Sequence, residues 1–132
     1  MAGDYELDAL SVPESIEDLH DLMDRARREH PEVRGEDLMM LETAIVEIAG
    51  NVVQHGRPEG RVAYSLRLEV RDDLLRVRLV DAGVGSVPWP PPVADPLAES
   101  GRGLALADAV VDRLDYERVD GQNRWVVERM RH

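Results

Sequence analysis

Glu47 and Asn51 stand four residues apart in the stretch LETAIVEIAGNVVQHG, residues 41–56, and His55 lies one further step of four beyond. That spacing stacks a carboxylate, a carboxamide and an imidazole along one strip of a helix. Such a strip either lines a site or forms a solvated flank, and the spacing alone allows both. Two glycine-containing clusters downstream add chemistry to it: Asp81-Ala82-Gly83-Val84-Gly85 and Gly101-Arg102-Gly103-Leu104. Glycine at the mouth of a helix lets backbone amides approach phosphate oxygens, with the partial positive charge of the helix terminus behind them. An aspartate ending a buried strand accepts a hydrogen bond from an exocyclic amine in a dry pocket. A turn or a cap explains either cluster taken singly.

The elements that must hold these residues are legible in the apolar pattern. Leu38, Leu41, Ile45, Ile48 and Val52 recur at steps of three and four, which predicts a helix over about 36–54, closed by His55 and Gly56. An earlier helix follows Ser11, where Ser11 with Glu14 fits a capping box and Pro13 suits the first turn. Its apolar face is Ile16, Leu19, Leu22, Met23 and Ala26, and it should stop near His30, before Pro31. His20 on this helix reads as a surface histidine or, more sharply, as a phosphate acceptor. Residues 5–10 form a short first strand. Residues 61–81 alternate apolar and polar and read as a hairpin turning at Asp72 and Asp73. Residues 81–103 hold five of the eight prolines and four of the ten glycines, the mark of a long loop. Helical spacing returns over 104–114, and strands over 116–119 and 124–130 are joined by a turn at 120–123. The order predicts an α+β two-layer sandwich: a mixed, mostly antiparallel sheet with helices on one face.

Composition narrows the classes. At 132 residues the chain fits a single domain, 1–132, with one core. A net charge of −11 repels phosphate backbones and anionic membranes, so nucleic acid and membrane are not expected as partners. There is no cysteine, which removes disulfides and thiolate catalysis and suits a cytoplasmic setting. All sixteen basic residues are arginine, so neither a Walker A loop nor a protein-kinase catalytic lysine exists here. If the chain binds ATP, it does so another way.

Taken in order, the three clusters resemble the motifs of the GHKL ATPases. The N box is matched by Glu47-Ile48-Ala49-Gly50-Asn51, the first glycine box by Asp81 to Gly85, and the second by Gly101 to Leu104. Within that superfamily the sequence is most similar to the stand-alone bacterial anti-sigma factor serine kinases, through EIAGNVVQHG and ESGRGLALADAVVDRL. The resemblance spans about residues 5–131 and implies the GHKL, or Bergerat, ATP-binding fold.

The resemblance also implies roles. Asn51 would ligate magnesium, and Glu47 would be the general base toward an attacking hydroxyl. Asp81 would bind the adenine amino group, with Gly83 and Gly85 letting the chain turn closely around the base. Gly101, Gly103 and the amides of the following helix, from Leu104 on, would hold the phosphates, and residues 86–100 would form the lid. Arg102 would meet phosphate or an acidic partner, or remain a solvated arginine. Trp89 in the lid is given no single role, and His55 reads as helix termination. Where a threonine commonly supports the adenine site, Gly121, Gln122 and Asn123 stand instead. The activity implied is that of an ATP- and magnesium-dependent serine protein kinase in a partner-switching system. It would phosphorylate an anti-sigma antagonist, sequester a sigma factor and form a homodimer. The alternative is a non-catalytic binding protein whose lid, ordered by ATP, exposes a docking surface.

Overall fold

Period-two alternation and amphipathic helices divide the chain between a sheet and a helical layer that covers one of its faces. The computed structural model describes residues 3–10, 14–55, 63–82 and 102–132. In chain order the elements are β1 (Gly3–Leu10), α1 (Ser15–Glu29), α2 (Gly35–His55), β2 (Ala63–Val70), β3 (Leu74–Asp81), α3 (Arg102–Ala109), β4 (Arg113–Val119) and β5 (Gln122–Met130). The five strands form one sheet in the order β1-β2-β3-β5-β4, and all four pairings are antiparallel. This is the expected α+β sandwich. Among the described residues, no helix is long and apolar enough to cross a membrane.

Helix α2 is the centre of the helical layer, packing on β3 and β5 with α1 and α3 at its sides. Leu38, Leu41, Ile45 and Ile48 are fully buried, as the stripe requires. Beneath them Leu66, Leu79, Trp125 and Val127 supply the inner face of the sheet. Helix α1 buries Leu19, Leu22, Met23 and Ala26, and Ile16 packs at the margin of the same core.

A buried ion pair fixes where α2 begins. Asp37, 1% exposed, accepts from Arg129 Nε at 2.9 Å and from the backbone N–H of His132 at 2.9 Å. The helix then runs along the sheet toward its opposite end. At roughly 1.5 Å per residue Asn51 lies about 21 Å beyond Asp37, while Asn123 lies about 20 Å from Arg129 along β5. Asn51, Asp81 and Asn123 are thereby gathered at one end of the domain.

The outer face of the sheet carries charge in place of helices. Asp4, Glu69, Arg76, Glu128 and Arg113 fall in one cross-strand row, one from each strand. Arg76 Nε meets Glu128 at 2.5 Å, and Arg71 Nη2 bridges Asp4 and Glu69 at 3.0 Å each. Alternation alone would expose Glu69, yet it is buried, because Arg71, Arg76 and Arg78 close around it.

The structure corrects three local expectations. Helix α1 begins at Ser15, and its N-cap, Glu14, makes no side-chain cap bond, so the capping box is not what starts it; Ser11 lies outside the described residues. The helix expected over 104–114 ends at Ala109, and Leu114 belongs to β4, because the Asp112 N–H already pairs with the Glu128 carbonyl at 2.9 Å. The last turn takes only Asp120 and Gly121, at φ 53° and 77°. Two residues with positive φ make the tight hairpin turn that an Asp-Gly pair favours, and Gln122 and Asn123 therefore enter β5. Most of the expected proline-rich loop, residues 83–101, lies outside the described residues.

Candidate functional site

The carboxylate of Glu47 lies against Gly103. A Cβ built on Gly103 would collide with Glu47 Oε2 and stand 3.2 Å from Glu47 Cδ. Gly103 is the second residue of α3, and among the described glycines only Gly121 has a positive φ. Glycine at 103 is thus required for space and not for an unusual backbone. The first turn of α3 contains no acidic residue, so the carboxylate beside its positive end is supplied by α2. The N box and the second glycine box, far apart along the chain, meet at this contact.

Glu47 forms no ion pair with any described residue. Its neighbour Glu42 shows the contrast: it accepts from Arg27 and lies 2.6 Å from His20 Nδ1. Both glutamates border a groove of about 480 Å³ between α1 and α2, which leaves Glu47 reachable from outside. His20 is exposed, and its place opposite Glu42 accounts for it without phosphate chemistry. Asn51, one turn after Glu47, is half-buried on the same side of α2.

Asp81 ends β3 on the inner face and is buried. Its Oδ1 accepts from Asn123 Nδ2 at 3.0 Å. Asn123 Oδ1 in turn accepts from Tyr116 Oη at 2.5 Å and from Arg118 Nη1 at 3.1 Å. An open depression of about 380 Å³ at the end of the sheet is lined by Tyr64, Asp81 and Gln122 among others. Asn123 and Tyr116 were not among the residues expected to build the site. The signal for Asn123 was present: a two-residue Asp-Gly turn sets Gln122 opposite Val119, which points Asn123 inward beside Asp81.

The other expected positions fall as follows. Arg102 opens α3, and Leu104 is buried in the core and anchors the start of that helix. His55 ends α2. Gly83, Gly85, Gly101, the lid residues 86–100 and Trp89 lie outside the described residues.

A model of the histidine kinase-like ATPase domain matches residues 12–128. The chain belongs to that family. Among solved structures, one of the RsbU and RsbW domains of Rv1364c from Mycobacterium tuberculosis aligns with a TM-score of 0.68 at 18% identity, covering 98% of this chain and 33% of that one. At that identity the likeness bears on the fold alone, and this chain spans about a third of that relative's length. No curated protein matches the sequence.

ATP and magnesium, the ligands this family implies, suit the residues present. The first turn of α3 carries backbone N–H groups that have no partner within the helix and can turn to phosphate, and Asn51 offers a hard oxygen to a cation. Among the described residues of this ATPase domain, no three His, Cys, Asp or Glu side chains cluster to cage a metal ion. A cation beside Asn51 would therefore draw most of its oxygen ligands from phosphate and water, as magnesium does.

Close approach at Gly103 gives the ATPase domain a sharp test. In Gly103→Ala the new methyl must push the Glu47 carboxylate aside, since the carboxylate is the mobile end of the contact. Stability should change by less than about 1 kcal/mol, because alanine favours the helix by a similar amount. Phosphoryl transfer should fall by about 10²-fold, the cost of misplacing a reacting group by about 1 Å. Thermal unfolding and a labelled-ATP assay on one preparation check the pair; unchanged transfer would remove significance from the contact.

Proposed function

We propose that this chain is an ATP- and magnesium-dependent serine protein kinase that acts as an anti-sigma factor in a partner-switching system. The observation that carries this reading is the Glu47 carboxylate at the start of α3, without an ion pair among the described residues, one turn from Asn51 and open to the groove between α1 and α2. Membership of the histidine kinase-like ATPase family and the shared fold with the RsbW-containing structure support it.

Bound ATP would supply the phosphoryl group, and magnesium held beside Asn51 would supply positive charge to the phosphate oxygens. The chain contributes position and proton transfer. The amides at the start of α3, with Gly101 and Gly103, hold the phosphates, and the Asn51 carboxamide oxygen orients the cation. Asp81 would accept the adenine amine, Gly83 and Gly85 would let the chain turn closely around the base, and Arg102 would meet phosphate charge. Glu47 takes the proton of the incoming serine hydroxyl as its oxygen bonds to the γ-phosphorus, the bond from that phosphorus to the β–γ bridging oxygen breaks, and ADP leaves. The serine belongs to an anti-sigma antagonist protein, and the phosphate it gains breaks antagonist binding by charge, leaving the kinase, as a homodimer, to hold a sigma factor.

Incubation with labelled ATP, magnesium and candidate antagonist proteins tests this. Label on a serine of one candidate is expected. ATP binding without transfer to any candidate would replace the kinase reading with that of a nucleotide-dependent docking protein. Asn51→Ala should lose the magnesium-dependent part of its ATP affinity, and calorimetry with and without magnesium that shows no difference from wild type would remove Asn51 from the metal.

A further inference from the structure

The cross-strand row Ala9–Tyr64–Asp81–Asn123–Arg118 crosses all five strands at the end of the sheet where α2 finishes, and its polar centre is the Asp81–Asn123 pair. The chemistry of Arg118 fixes which way the Asn123 carboxamide faces. Arginine has donors only, so the atom of Asn123 turned to Arg118 Nη1 must be the oxygen, and the hydroxyl of Tyr116 donates to that same oxygen. The nitrogen then faces Asp81. Tyr116 is itself held, its ring 4.5 Å from that of Trp125 in a tilted stack. Two donors on the oxygen and one acceptor on the nitrogen pin the amide in a buried setting, where a flip would bring two acceptors together at Asp81.

One hydrogen of Nδ2 is used by Asp81; among the described residues the second has no acceptor. Side by side, the pair therefore presents an acceptor from Asp81 and a donor from Asn123. Adenine offers the complement along one edge, the N6 amine as donor beside N1 as acceptor. Hypoxanthine reverses both groups, with O6 as acceptor and N1–H as donor.

Building on the nucleotide site described above, we propose that Asn123, oriented by Tyr116 and Arg118, reads ring nitrogen N1 of the bound purine and sets the selectivity of the site for adenine together with Asp81. Asn123 is thus a binding residue, and Tyr116 and Arg118 are positioning residues that act through it.

The test compares ATP, inosine triphosphate and tripolyphosphate by calorimetry on the full chain and on Asn123→Leu and Tyr116→Phe. Wild type should prefer ATP over inosine triphosphate by about 100-fold, as paired polar contacts to a base edge discriminate. Asn123→Leu should cut that ratio to below about tenfold, and Tyr116→Phe, which keeps the stack on Trp125, should cut it about fivefold. Tripolyphosphate affinity should not move in either variant, because it carries no base; general damage would lower all three ligands together. A ratio unchanged in the variants overturns the inference and leaves the nucleotide site standing. Wild type that binds neither triphosphate overturns the nucleotide site and the inference with it. If Asn123→Leu does not fold, Tyr116→Phe decides alone: an unchanged ratio there overturns the proposal.

Discussion

Glu47→Gln is expected to bind ATP as wild type does and to transfer phosphate about 10²- to 10⁴-fold more slowly, the range over which a positioned general base acts. The substitution keeps the shape of the side chain and removes its capacity to take a proton. The new carboxamide would still fit the space left by Gly103, so packing between α2 and α3 is preserved. Binding and chemistry should therefore separate: calorimetry reports an unchanged affinity while single-turnover transfer collapses. Transfer at the wild-type rate would show that Glu47 is not the base. Loss of ATP binding alongside transfer would show instead that the carboxylate organises the phosphate end of the site.

Asp37→Ala is expected to cost about 3 kcal/mol of stability, because it leaves the largely buried guanidinium of Arg129 without its partner. Burial by itself would raise the Asp37 carboxyl; the N–H of His132 and the guanidinium of Arg129 outweigh it and hold the group below the usual carboxylate range. A carboxyl depressed on folding contributes stability in full above its unfolded pKa, near 4, and loses it as pH falls through the folded value. Glu128 is lowered as well: burial opposes ionisation, while Arg76 and Arg113 favour it more. Wild type should thus weaken steeply below about pH 4, and Asp37→Ala should weaken less steeply there. Urea midpoints measured from pH 3 to pH 7 check both statements. A variant with the wild-type midpoint at pH 7 would remove Asp37 from the set of groups that fix α2.

Much of this was legible in the residues, for reasons that differ along the chain. The α2 stripe and the β2–β3 hairpin follow from a period repeated over many positions, so small local conflicts do not disturb them. The meeting of Glu47 with Gly103 was not visible as a contact, since it depends on how two helices cross. What the sequence held was the glycine itself, read as clearance for phosphate at the mouth of the helix; in the structure Glu47 takes that space. The end of α3 is not legible in the sequence because Val110, Val111 and Leu114 fit a helical step as well as a strand start, and only the Asp112–Glu128 backbone bond decides between them. Asn123 carries no expected role because the expected turn spans 120–123; the observed turn takes only Asp120 and Gly121, which puts Asn123 in β5 beside Asp81.

The charged row on the outer face settles a question that hydrophobic alternation leaves open. Shifting a strand by two residues keeps every apolar side chain on the inner face, so burial hardly distinguishes the native pairing from its neighbours. The row does distinguish them. Sliding β5 two residues along β3 would set Arg76 opposite Val126 or Met130 in place of Glu128. Sliding it along β4 would set Glu128 opposite Asp115 or Val111 in place of Arg113. Opposite charges across a pair favour it by some tenths of a kcal/mol and like charges oppose it by as much. These contributions are small in stability, but they bear on alignment. The same alignment places Asp81 beside Asn123, so the solvent-facing side of the sheet keeps the register on which the geometry of the other side depends.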